Sequence, residues 1–149
     1  MILMVAEGSP APDFELASDT GETVKLSALR GRPVVLYFYP RSDTPGCTRQ
    51  ARAIRDAYGE YEERGAVVLG VSSDTQAAQA RFKAKYGLPF TLLADPELEA
   101  GEAYGVTKDG SRSFTRSTFL IDAAGTVVKV MRKVSPATHS EEVLAALPQ

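Results

Sequence analysis

Residues 34–56 read VVLYFYPRSDTPGCTRQARAIRD, and the change of rhythm inside that stretch decides the fold. Residues 34–39 are an unbroken β-branched and aromatic run between Pro33 and Pro40, the pattern of a strand buried on both faces. After a short loop, Thr44 stands as an N-cap and Pro45 at the first helical position. Ala51, Ile54, Tyr58 and Tyr61 then recur at helical spacing among charged residues, and Gly65 ends the run. A second buried strand, VVLGV at residues 67–71, follows. A strand, a crossover helix and a strand make a parallel, right-handed unit.

The flanks extend that unit. Upstream, residues 14–16 and 23–26 sit either side of the turn-like SDTG and predict a leading hairpin. Downstream, a helix is expected over 75–86, with Gly87 as its stop and Pro89 beyond. FTLLAD at 90–95 reads as a short strand and 96–104 as a short helix. STFLID at 117–122 and TVVKVM at 126–131 flank Ala123, Ala124 and Gly125 as a second hairpin. A last helix starts near Thr138, with capping-box spacing to Glu141 and an inner face of Val143, Leu144 and Leu147. The order matches a thioredoxin-like α/β fold. We expect a three-layer sandwich around a central mixed sheet, with an N-terminal hairpin and an insertion over 88–113 before the last hairpin. One domain over 1–149 accounts for all of it.

A chain of 149 residues buries roughly 70% of the surface that its unfolded form exposes, so it needs no disulfide to fold. It can form none internally, because Cys47 is its single cysteine. A net charge of −2 with scattered basic residues implies no general attraction to nucleic acid or to acidic membranes. No segment approaches the ~20 apolar residues of a membrane span. The apolar lead at residues 1–5 lacks the basic start and cleavage site of a secretory signal. A cytoplasmic location is the default expectation, and a free cysteine fits that reducing compartment.

A lone cysteine is often a small buried hydrophobe. Three features argue for a reactive one here. Cys47 falls at the third helical position, where unpaired N–H groups and the positive end of the helix dipole favour thiolate over thiol. Thr44, as N-cap, is expected to accept from the N–H at that position, which brings its hydroxyl close to the sulfur. Pro40, Pro45 and Gly46 bracket a site beyond the carboxyl end of a buried strand, where α/β sheets place their ligands. Pro40 either only ends the strand or also shields the thiolate from water.

The stretch YFYPRSDTPGCT contains Pro-x-x-x-Thr-x-x-Cys and resembles the active-site signature of peroxiredoxins, in particular the peroxiredoxin Q or bacterioferritin comigratory subfamily. GSPAPDFEL, VLGVSSD, LLAD, RSTFLID and HSEEVLAAL occur in the same order and carry the resemblance along nearly the whole chain. It implies a thiol-dependent peroxidase of antioxidant defence and redox homeostasis, with no bound cofactor and no metal. Cys47 would attack a hydroperoxide, hydrogen peroxide or organic, and become a sulfenic acid. Thr44 and backbone N–H groups would orient the peroxide, and Pro40 would shape the pocket. The resemblance also assigns an arginine to Arg116, whose guanidinium would favour the thiolate and hold peroxide oxygens.

The chain departs from the pattern at Arg52, where many relatives carry a second, resolving cysteine. Residues five apart in a helix stand about 8 Å apart, beyond the roughly 7 Å limit for a disulfide, so such relatives must unwind this turn. Here the first helix is expected to stay wound. Reduction then falls to an external thiol, whether thioredoxin, glutaredoxin or a small thiol. Two Cys47 thiols from separate molecules could also pair, and overoxidation to sulfinic acid is a hazard. A monomer or a weak homodimer is expected. The rival from another class is a non-enzymatic redox sensor that passes oxidation to a partner protein. A cysteine hydrolase would need a base, but His139 reads as a solvated residue of the tail helix. A phosphatase loop would need arginine six positions after the cysteine, where Ala53 stands. Asp43, Asp56, Asp74 and Asp95 read as turn or cap residues, and Tyr39 reads as packing or as a wall of the peroxide pocket.

Overall fold

In a computed structural model describing residues 5–108 and 111–147, the run at 34–39 forms the centre of a seven-stranded sheet. The apolar lead at 1–4 lies outside the described residues. Strand β3 (Val34–Phe38) is buried at every position. Beside it lie β4 (Val67–Ser72), in parallel, and β8 (Ser117–Ile121), antiparallel. The predicted leading hairpin is β1 (Glu15–Ser18) with β2 (Thr23–Lys25), and the predicted last hairpin is β8 with β9 (Val127–Arg132). Strand β5 (Thr91–Ala94) completes a mixed sheet of order β2-β1-β5-β4-β3-β8-β9. This is the expected thioredoxin-like α/β sandwich.

Residues alternate along β3, so the strand feeds two cores. Leu36 and Phe38 join Tyr104, Phe114 and Phe119 on one face. Val35, Tyr37 and Tyr39 join Cys47, Ala51 and Ile54 on the other. Helices α1 (Pro45–Asp56), α2 (Tyr58–Glu63), α3 (Gln76–Tyr86) and α5 (His139–Ala146) contribute buried residues to that second face. Tyr37 lies across Gly70 of β4, where a Cβ would sit 2.9 Å from the phenol oxygen. The glycine makes room for the ring.

Within the insertion over 88–113, the strand expected at 90–95 forms as β5 and pairs parallel with β4 and antiparallel with β1, with Leu92 and Leu93 buried on opposite faces. The part beyond the sheet is α4 (Glu99–Ala103) and a ribbon of β6 (Thr107–Lys108) with β7 (Ser111–Phe114). The helix expected to run unbroken to Gly65 divides at Ala57. Its N–H is shared between the Ala53 and Ile54 carbonyls at 3.2 Å each, and φ/ψ of −104°/11° ends the first segment. The capping box at Thr138 does not form, since its hydroxyl donates to Glu142 Oε1 at 2.8 Å. Helix α3 follows expectation: Thr75 accepts from the Ala78 N–H, and Gly87 closes it at φ 60°.

Helix α4 packs so closely that a Cβ at Gly101 would lie 2.4 Å from Phe114 Cε1, and Phe114 is fully buried. Gly101→Ala should therefore destabilise the fold by overpacking, by about 1–3 kcal/mol, read as a lower urea midpoint with unchanged slope.

Candidate active site

The site is assembled where β3 gives way to α1. Strand β3 ends at Phe38, and the Tyr39 N–H still pairs with the Val71 carbonyl. Half-buried Pro40 then starts the loop that leads to Thr44. Two clamps hold that loop. The Ser42 N–H donates to Asp74 Oδ2 at 2.7 Å. The Asp43 carboxylate accepts from Lys85 Nζ at 2.9 Å and Tyr86 Oη at 2.8 Å. Asp43 adopts φ 57°, a left-handed conformation that aspartate tolerates better than most residues. Asp43 and Asp74 are thus structural, as read from sequence.

Cys47 lies in the first turn of α1, after N-cap Thr44, Pro45 and Gly46. The expected cap bond is absent. The Thr44 hydroxyl donates instead to the Arg41 carbonyl at 2.9 Å, because the turn at Asp43 folds that carbonyl back within reach. The Gly46 and Cys47 N–H groups are therefore unclaimed by the cap side chain. They point a positive helix end toward the sulfur's surroundings. Cys47 is only 2% exposed.

Arg116, immediately before β8, reaches this turn. Its Nη1 stands 3.5 Å from Cys47 Sγ and donates to Gln50 Oε1 at 2.6 Å. Gly46 permits the approach, since a Cβ there would lie 3.0 Å from Arg116 Nη2. The guanidinium presents donors at the sulfur and can offer others to an oxygen bound beside it. The structure thus brings Arg116 to Cys47, with Thr44 at the start of the same helix and Pro40 in the loop before it.

Three residues missed in the sequence join them. Gln50 Nε2 stands 3.0 Å from His139 Nδ1, and His139 Nε2 stands 2.6 Å from Thr118 Oγ1. Gln50, His139 and Thr118 are all fully buried. The solvated reading of His139 is therefore wrong: α5 docks with its first turn against α1 and β8. Burial first, and the charge of Arg116 second, hold the His139 pKa down at about 4. One signal was available for Gln50, a polar residue in the buried helical stripe with Cys47, Ala51 and Ile54. Tyr39 does not offer its hydroxyl to the site, because that hydroxyl donates to Gln79 Oε1 at 2.6 Å. Arg52, at the position of the resolving cysteine, is exposed on the outer side of α1 and lines a groove with Thr44, Arg49 and Tyr86. A second concavity, around Asp13, Arg30 and Asp122 at the far end of β3, holds about 20 Å³. That is space for about one water.

Comparison with known proteins bears on the fold and the family. Residues 8–130 match the model of the AhpC/TSA family. A Bacillus subtilis protein named peroxiredoxin Bcp is 46% identical over 146 residues, covering 94% of this chain and 93% of that one. The crystal structure of peroxidoxin BcpB from Mycobacterium tuberculosis superimposes with a TM-score of 0.88 at 34% identity, over 95% of both chains. The bacterioferritin comigratory protein of Xanthomonas campestris, whose structure bears on its alkyl peroxide reduction activity, superimposes with a TM-score of 0.85 at 36% identity. That match covers 89% of this chain and 88% of that one.

Proposed function

This chain belongs to the AhpC/TSA family and is a thiol-dependent peroxidase of the Bcp or peroxiredoxin Q kind, and from that premise we propose that Cys47 is its peroxidatic sulfur, served by Arg116, Thr44 and Pro40. The observation that carries the assignment is the Arg116 guanidinium at 3.5 Å from Cys47 Sγ, at the open N-terminus of α1.

In the proposed reaction, the Cys47 thiolate donates an electron pair to one oxygen of ROOH. The S–O bond forms as the O–O bond breaks, and RO⁻ leaves to be protonated to alcohol or water. Arg116 and the Gly46 and Cys47 N–H groups stabilise the charge developing on the oxygens. Thr44 takes a role that its geometry supports. With its proton held on the Arg41 carbonyl, the hydroxyl oxygen keeps lone pairs to accept the O–H of the neutral hydroperoxide. Pro40 offers no N–H to compete for the substrate. The alkyl peroxide activity of the Xanthomonas relative supports an organic hydroperoxide as one substrate.

Recycling uses an external thiol, because the chain has no second cysteine. A first thiolate attacks the sulfenic sulfur, releasing water and leaving a mixed disulfide. A second thiol releases a free disulfide and returns Cys47 to thiolate. Cys47 is 2% exposed, so a local opening of the loop 40–44 accompanies this step. Helix α1 stays wound, anchored by buried Gln50, Ala51 and Ile54.

One experiment tests the reading. Peroxide consumption is followed with thioredoxin, glutaredoxin and dithiothreitol as alternative donors, and hydrogen exchange is recorded after one equivalent of peroxide. We expect turnover with at least one donor, a sulfenic adduct on Cys47 by mass spectrometry, and retained protection of the amides of 50–56. Oxidation in a single turnover that no thiol reverses would instead mark a sensor.

A further inference from the structure

Arg116, just before β8, touches the sulfur, and among the described residues the side-chain oxygen that its head meets is that of Gln50. What holds it is a chain of buried groups drawn from three elements. We propose that His139 is a positioning residue, whose neutral ring, protonated on Nε2, locks the Gln50 amide with its oxygen toward Arg116 and so fixes the guanidinium against Cys47. This rests on the reading of Cys47 and Arg116 given above.

The proton positions follow from one end of the chain. A guanidinium has only donors. The Gln50 atom 2.6 Å from Arg116 Nη1 must therefore be the amide oxygen. That turns the amide NH₂ toward His139 Nδ1 at 3.0 Å, so Nδ1 carries a lone pair. The proton of the neutral ring is then on Nε2, which donates to Thr118 Oγ1 at 2.6 Å. No other assignment satisfies all three contacts. Gln50, His139 and Thr118 are fully buried, so exchange of any partner for water is costly. The Tyr37 ring, 5.6 Å away between centroids, walls the imidazole on the sheet side.

Remove the imidazole and the buried Gln50 NH₂ loses its acceptor. The side chain then shifts to satisfy that NH₂ elsewhere, its oxygen leaves the guanidinium, and Arg116 loses the partner that fixes it against the sulfur. The docking of α5 is thereby coupled to the reactivity of Cys47, which is distant in the sequence.

The chain has one histidine, so a ¹⁵N-histidine spectrum of the reduced wild-type protein reads the tautomer without ambiguity. At pH 7 we expect an unprotonated Nδ1 and a protonated Nε2. A proton on Nδ1, or a charged or averaging ring, would overturn the proposal. The second arm measures single-turnover reaction of Cys47 with peroxide, and its alkylation by iodoacetamide. His139→Leu should slow both by about tenfold. His139→Asn, whose Oδ1 can accept where Nδ1 did, should recover most of the loss. In a Gln50→Leu background, His139→Leu should cost nothing further. Additive losses, or an asparagine no better than leucine, would overturn the relay and leave a merely structural histidine. The tautomer and the alkylation rate need no peroxide chemistry. An inert sulfur toward peroxide with the tautomer intact would therefore count against the reading of the site and not against the relay.

Discussion

A Cys47→Ser protein should consume hydroperoxide at less than about a thousandth of the wild-type rate, a loss of at least ~4 kcal/mol of transition-state stabilisation. Serine matches the shape of cysteine, but its hydroxyl does not ionise near neutral pH, and the chain has no other thiol to take over. Arg116→Lys should fall between the two, at roughly 100-fold below wild type. One guanidinium nitrogen serves both Cys47 Sγ and Gln50 Oε1, and among the described residues its other donors meet no acceptor, so they can serve the peroxide oxygens. A lysine ammonium keeps the charge but loses the planar fork that reaches several acceptors together. Loss of a single oriented donor at a developing oxyanion typically costs about 100- to 1000-fold. Stopped-flow peroxide consumption, with folding checked by circular dichroism, separates these cases. If Cys47→Ser kept more than a small fraction of the activity, or Arg116→Lys matched wild type, the assigned roles would be wrong.

Much of this site was legible in the sequence, for reasons that differ by residue. The run at 34–39 and the Thr44-Pro45-Gly46-Cys47 start of α1 are local signals, and local rules place the cysteine in the first helical turn. Arg116 is not local. It is 69 positions from Cys47, and no spacing brings them together; only the family resemblance did. Thr44 was correctly set as N-cap, but its hydroxyl turned elsewhere because Asp43 takes a left-handed φ that composition does not reveal. His139 was misread because one polar residue in the first turn of a terminal helix carries no sign of what packs on it. Its burial is decided by Gln50 and Thr118, which lie on α1 and β8. Even the alternation in β8, where Thr118 and Leu120 share the face that α1 and α5 cover, becomes informative only after the sheet order is known.

The same buried imidazole makes the fold sensitive to acid. Unfolded, a histidine titrates near 6.5, whereas in the folded protein burial and the neighbouring Arg116 depress His139 to about 4. Between those values the unfolded chain binds the extra proton, so stability falls as pH falls across that window and levels off below it. The difference amounts to about 3 kcal/mol lost between pH 7 and pH 4. The groups facing the ring are Gln50 on α1, Thr118 on β8, Tyr37 on β3 and the Arg116 guanidinium. None of them supplies an anion to stabilise a protonated imidazole. Asp95 acts in the opposite sense: burial raises its pKa, so its protonation favours the folded state near the lower edge of the window. Asp13 and Asp43, with lowered pKa values, lose their contributions only at more acidic pH. His139→Asn removes the titration while keeping a polar group in the cavity. The variant should be less stable than wild type at pH 7, and the two should converge as the pH is lowered to 4, because only wild type loses the histidine contribution. Urea unfolding at pH 7, 5.5 and 4.5 measures this directly. Parallel stability curves for the two proteins across that range would mean that the ring is not held neutral in the folded state.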